Sequence, residues 1–139
     1  MKQFILIFFC LFSFSQSEVH NLKIEIPNVK ESGVIYIAIY DNAEDFNSGN
    51  DSPKLMIDNV IEKVRKGRYL KTIYLPSGDY AIKVLVDNNN NGEIDFNFFG
   101  LPVEQFGFSN NVIGLFGAPK FDIASFKLIK DKKIIIKLR

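Results

Sequence analysis

Apolar and polar residues alternate along most of the chain in short runs, the period-two signature of half-buried strands. Over 18–26, Val19, Leu22, Ile24 and Ile26 oppose Lys23 and Glu25, and Pro27-Asn28 ends the run. Gly33 then leads into VIYIAIY, apolar on both faces from Val34 to Tyr40, which predicts a central strand covered on both sides. The polar stretch 41–53 reads as a loop, with one helical turn near Ala43–Phe46. LMIDNVIEKVRKG fits either an amphipathic helix or a strand over 59–65 pairing with the next across Lys66-Gly67. The strand is the better reading, because the neighbours on both sides are β and the turn contains glycine.

Further strands follow at 69–75 and 80–86, separated by the turn sequence Pro76-Ser77-Gly78-Asp79. Tyr80, Ile82, Val84 and Val86 share one face of the second. Residues 121–129 and 132–138 read as a hairpin across Lys130-Asp131. About seven short strands without a long helix predict an all-β, immunoglobulin-like or transthyretin-like sandwich with one long ordered loop over 87–120.

The first residues stand apart from this pattern. Lys2, the apolar run Phe4–Phe12 and the small residues Ser13 and Ser15 have the layout of a secretory signal over 1–15, leaving a single domain at 16–139. The run is too short for a membrane span. Cys10 falls inside the leader behind Phe9, which is too large for a lipid-attachment signal, and the mature chain would hold no cysteine. The chain has 17 Lys and Arg against 16 Asp and Glu, and loss of Lys2 leaves 16 against 16. That balance gives no electrostatic reason to bind nucleic acid. The expected location is secreted or periplasmic.

One stretch carries specific chemistry. Asp87, Asn89 and Asn91 fall at alternate positions, Gly92 follows, and Asp95 lies three residues on. This is the first half of a calcium loop, in which alternate oxygen side chains surround an ion and glycine makes the sharp turn. Asp87 would supply charge, Asn89 and Asn91 amide oxygens, Glu93 its backbone carbonyl, and Asp95 a direct or water-mediated contact. The place of the closing bidentate glutamate is held by Phe98, and a strand rather than a helix enters the loop, so this is no EF-hand. Glu104 is the best candidate for the missing carboxylate. A plain Asn/Gly turn is the competing reading. Phe96, Phe98, Phe99, Phe106 and Phe108 follow at once; they read as a small core of the loop's own rather than a stacking surface.

LPSGDYAIKVLVDNNNNGEIDFNFFGLPVEQFGFSNN, followed by GAPKFDIASFKL, resembles the bacterial domain-of-unknown-function 2141 family. The likeness runs from Gly33 to the carboxyl end and is densest over Leu75–Leu128. The sequence departs from the family at Val86, where histidine is frequent, and at Gln105-Phe106, where Glu-Gly-Tyr is commoner. Any role resting on that histidine is therefore unsupported in this chain. The resemblance implies an exported β-sandwich with no established activity. LPSGDY is also similar to a turn of transthyretin-like and collagen-adhesin B-type modules, an analogy of fold only.

Three function classes follow. The first is a non-catalytic module with a structural calcium loop, binding an unknown protein or glycan at the cell envelope. The second is a metal-free assembly protein, although lysines such as Lys127, Lys130, Lys132, Lys133 and Lys137 usually protect strand edges. The third is a glycan hydrolase using Asp95 and Glu104. With His20 alone, at the start of the mature chain, serine– and cysteine–histidine mechanisms have little to work with.

Overall fold

The computed structural model describes residues 18–50, 52–114 and 117–139; the leader expected over 1–15 lies outside the described residues. Among the described residues eight strands form two facing sheets, joined by short helical turns. The first sheet holds β1 (Val19–Val29), β4 (Gly67–Pro76) and β8 (Lys132–Ile135), with β1 in the middle. The second runs β3 (Asp58–Val64), β2 (Gly33–Tyr40), β5 (Gly78–Asp87) and β6 (Gln105–Phe108), and short β7 (Phe126–Leu128) pairs with the start of β5. The expected all-β sandwich is present. No helix among the described residues is long and apolar enough to cross a membrane.

The alternation predicts the inner faces well. Leu22, Ile24 and Ile26 of β1 meet Ile35, Ile37 and Ile39 of β2 and Tyr80, Ile82, Val84 and Val86 of β5 in the core between the sheets. The expectation that β2 is central and covered on both faces holds for its second half. Ala38 and Tyr40, with Ala81 of β5, face outward into a second small core. That core is closed by Phe46 of α1 (Ala43–Asn47) and Ala124 of α2 (Phe121–Ala124). The single turn of α1 forms because Asn42 caps it, its Oδ1 accepting the Asp45 N–H at 2.9 Å.

Pairing departs from expectation in three places. Residues 58–64 are a strand, but β3 pairs with β2 rather than β4, and the Lys66-Gly67 link crosses between sheets. The carboxy-terminal hairpin does not form: β7 pairs antiparallel with β5, whereas β8 runs parallel to β1 in the other sheet. Asp131 explains the second case, because its carboxylate accepts the Asn21 N–H at 2.9 Å and the Asn21 amide at 2.7 Å. The presumed turn residue thus leads the chain to β1. The span 87–120 is likewise no uniform loop, since it contains β6 and a turn at Ser109–Asn111.

Both open sides of the sandwich are closed. At the β3/β4 side, Glu62 accepts the Tyr69 hydroxyl at 2.8 Å and pairs with Lys71. Lys71 foremost, and Tyr69 after it, hold the Glu62 carboxyl below its usual range; burial foremost pushes the Tyr69 phenol up. An inward-pointing charge of this kind blocks edge-to-edge pairing. At the other side the tail crosses from β1 to β6: Ile136 N–H donates to Glu25, and Arg139 and Phe106 exchange backbone bonds at 2.9 and 3.3 Å.

Candidate functional site

The site is built where β5 runs out of its sheet. Asp87 is opposite Val34 in the β2 ladder, and its side chain is fully buried, at 0% exposure. The chain there is pressed against β2 so closely that a Cβ on Gly33 would lie 2.2 Å from the Asp87 carbonyl oxygen. Glycine at position 33 is a requirement of this approach.

Asp87 organises the turn through backbone donors. Its Oδ1 accepts the N–H groups of Asn89 and Asn90 at 3.1 and 2.6 Å, and its Oδ2 accepts that of Gly92 at 2.8 Å. Asn90 and Gly92 take left-handed dihedrals, φ 62° and 80°, which asparagine and glycine tolerate best. Two more side-chain turns follow, Asn89 Oδ1 accepting from Asn91 N–H and Asn91 Oδ1 from Glu93 N–H, both at 2.9 Å. The amide nitrogens of Asn89 and Asn91 then converge on the Asp95 carboxylate at 2.5 and 3.1 Å.

Of the six residues singled out by sequence, Asp87, Asn89, Asn91 and Asp95 therefore form one hydrogen-bonded knot. The side chain of Glu93 is exposed. Glu104, 2% exposed, sits beneath the loop, where its two oxygens accept the N–H groups of Asn88 at 3.1 Å and Asp95 at 3.3 Å. Glu104 thus ties the two ends of the loop together. Among the described residues no three Asp, Glu, His or Cys side chains gather into a group that could hold a metal ion. A cation in the knot would have to draw on amide oxygens too. The donor set allows this: Asn89 Oδ1, Asn91 Oδ1 and Asp87 Oδ2 each accept one N–H and keep a lone pair, and Asp95 faces two amide N–H groups that an ion could replace.

Beyond Asp95 the chain makes a small hairpin. Phe96 bridges Pro102, Asp95 C=O accepts the Val103 N–H at 2.9 Å, and Asn97 Oδ1 accepts the N–H groups of Phe99 and Leu101. Its tip carries Phe98 and Phe99 at 97% and 82% exposure, their rings meeting edge-on at 5.6 Å. The expectation that the five phenylalanines form a core of their own fails. Phe106 and Phe108 sit half-buried on β6, in edge contact with each other, and Phe96, Phe98 and Phe99 face solvent. An alternating strand places its rings on one face, but a tip turn held by Asn97 has no second layer to cover its rings. A shallow cleft of about 160 Å³ beside the hairpin is lined by Lys30, Glu31, Asn88, Val103, Gln105 and Arg139.

The Ser109-Asn110-Asn111 segment, part of the family-like stretch but given no role from the sequence, proves to be a clasp. Buried Ser109 accepts the Ile82 N–H at 2.9 Å and donates to Ala124 C=O at 2.6 Å, joining β5 to α2. Asn110 donates to the carbonyls of Ile123 and Ser125, and Asn111 holds the tail at Ile135 and Lys137. The positive φ of Asn110 and Asn111, 59° and 55°, is the feature that favours asparagine at both positions. His20 is also better placed than expected: it is buried within β1, 2.7 Å from Ser77 Oγ, at the end of β5 away from the loop.

The fold and this end of it define a class, a two-sheet β-sandwich whose central strand opens into an asparagine-rich acidic turn and an aromatic hairpin. Residues 24–137 match the family of uncharacterized proteins conserved in bacteria, DUF2141, and the chain belongs to that family. No curated protein and no solved structure matches the sequence.

Proposed function

We propose that the protein is a non-catalytic binding or accessory module, secreted or periplasmic, in which residues 87–95 hold a structural calcium ion. Asp87, Asn89, Asn91 and Asp95 would bind it through side-chain oxygens and Glu93 through its carbonyl, while Glu104 orders the loop from below. The observation that supports this reading is the gathering of the Asp87, Asn89, Asn91 and Asp95 side chains into one short knot, in which the Asn89 and Asn91 amide nitrogens donate to Asp95 and would turn their oxygens inward to take up an ion. With two carboxylates in the knot, affinity belongs in the ~10⁻⁴ to 10⁻³ M class of extracellular modules. At calcium about tenfold above Kd the ion then stabilises by about 1.4 kcal/mol, a melting shift of about 5 °C. The ion's work is to fix the base from which the Phe96–Val103 hairpin projects, and that hairpin is the binding surface.

The test is a thermal melt in millimolar calcium and in EDTA. The expected shift should vanish in Asp95→Ala, whose half-exposed side chain serves the knot rather than the sheet. Equal melting temperatures in calcium and EDTA would remove the metal from this account.

A further inference from the structure

We propose that the Phe96–Val103 hairpin is a membrane-docking tip, which seats the domain on a lipid bilayer with zwitterionic headgroups. The proposal rests on the binding-module reading and names its ligand; it does not need the cation. The eight residues FNFFGLPV carry no charge, and charges begin at once on both sides, with Asp95 before and Glu104 after. This abrupt step from apolar to polar matches the profile of a bilayer surface, where a side chain passes from hydrocarbon to headgroup within a few ångströms.

The reach of the hairpin agrees. From the Phe96–Pro102 bridge to the tip are about three residues, or about 10 Å at ~3.3 Å each, against an interfacial insertion depth of about 5–10 Å. The tip is ordered before it meets a ligand. Asn97 N–H donates to Leu101 C=O at 2.8 Å, Gly100 N–H to Asn97 C=O at 2.9 Å, and Gly100 takes φ 73°. A preformed projection inserts without first being ordered. Other exposed apolar side chains lie on strands, as Ile61, Leu70 and Tyr74 do, or on separate connections, as Ile57, Ile113 and Ile129 do.

Charge complementarity selects the kind of bilayer. Around the base of the hairpin the exposed or half-exposed charges are Lys30 and Arg139 on one hand and Glu31, Glu93 and Asp95 on the other. Buried Glu104 is satisfied by backbone N–H groups. Both signs are present, as in headgroups that carry a phosphate and an ammonium, and the excess of one negative charge gives no attraction to an anionic surface.

The chain has no tryptophan, so Phe98→Trp places a lone reporter at the tip. On phosphatidylethanolamine–phosphatidylcholine vesicles its emission should shift to the blue and be quenched by lipids brominated on the acyl chain. Each of Phe98→Ala and Phe99→Ala should lower vesicle partitioning roughly tenfold with melting unchanged, since both rings are exposed. An unshifted emission overturns the proposal, as does binding that requires phosphatidylglycerol and is lost in moderate salt. Loss of an oligomer in the double alanine variant, with no vesicle binding by the parent, would reassign the tip to a contact between copies. A blue shift together with equal melting in calcium and EDTA would leave the docking standing and remove only the cation.

Discussion

Two glutamates of this domain are withdrawn from water by opposite means. Glu25, on the outer face of β1, is buried against cationic side chains: Arg68 Nε at 2.8 Å and Lys133 Nζ at 2.5 Å. Glu104 is buried against backbone N–H groups, and its neighbour in the loop, Asp87, follows the same rule with three of them. Side-chain partners are mobile, screened by salt and dependent on pH. Backbone donors are fixed in place, so a carboxylate that satisfies them dictates where the chain runs. The outer face of the first sheet is therefore held by charge, and the loop end of the second by geometry.

The sharpest way to break this contrast is at Gly33. Alanine there would drive a methyl group into the Asp87 carbonyl and Asn88 Cα, at 2.2 and 2.9 Å, where only backbone can yield. A loss of about 3 kcal/mol in urea unfolding is expected, with the loop displaced. Asp87→Ala comes next. It leaves the N–H groups of Asn89, Asn90 and Gly92 without their acceptor and should cost about 2 kcal/mol, nearly independent of salt. A cost that faded in high salt would make Asp87 a charge partner like Glu25.

The smallest effect belongs to Glu25. Arg68 foremost, and Lys133 after it, hold its carboxyl at about 2, below the ordinary 4.5. A depressed carboxyl stabilises fully above about 4.5, and that contribution drains away as pH falls toward 2. Glu25→Gln should thus flatten the acid limb of stability over that window and leave the salt dependence weaker. Denaturation midpoints measured from neutral pH downward decide it, and an unchanged acid limb would remove Glu25 from the charge-held face.

The same contrast explains what was legible in sequence. The core faces of β1 and β5 could be read because alternation is a local property of the chain. The Asp87–Asp95 knot could be read for the same reason, since its turns close within a few residues. β6 was hidden by Gly107, which looks like a break in a strand. A side chain there would strike Ile136, Leu138 and the Lys137 carbonyl, so glycine marks a close packing of the tail. Lys130-Asp131 looked like a hairpin turn because nothing near it reveals Asn21 as its partner. The fate of the phenylalanines was equally invisible, because exposure at the tip depends on which turn Asn97 builds.

The tail that crosses from β1 to β6 has a consequence for how the domain comes to be. Asn21 meets Asp131, and Asn28 meets Leu138, across 110 residues of sequence in each case. One side of β1 thus stays without its partner until residues 132–139 have left the ribosome. Local turns can form earlier, but closure of the sandwich waits for nearly the whole domain. Such long-range pairing places the protein among slow-folding topologies. A nascent chain would pass most of its synthesis with the β1 edge open, and its last strand decides when folding finishes.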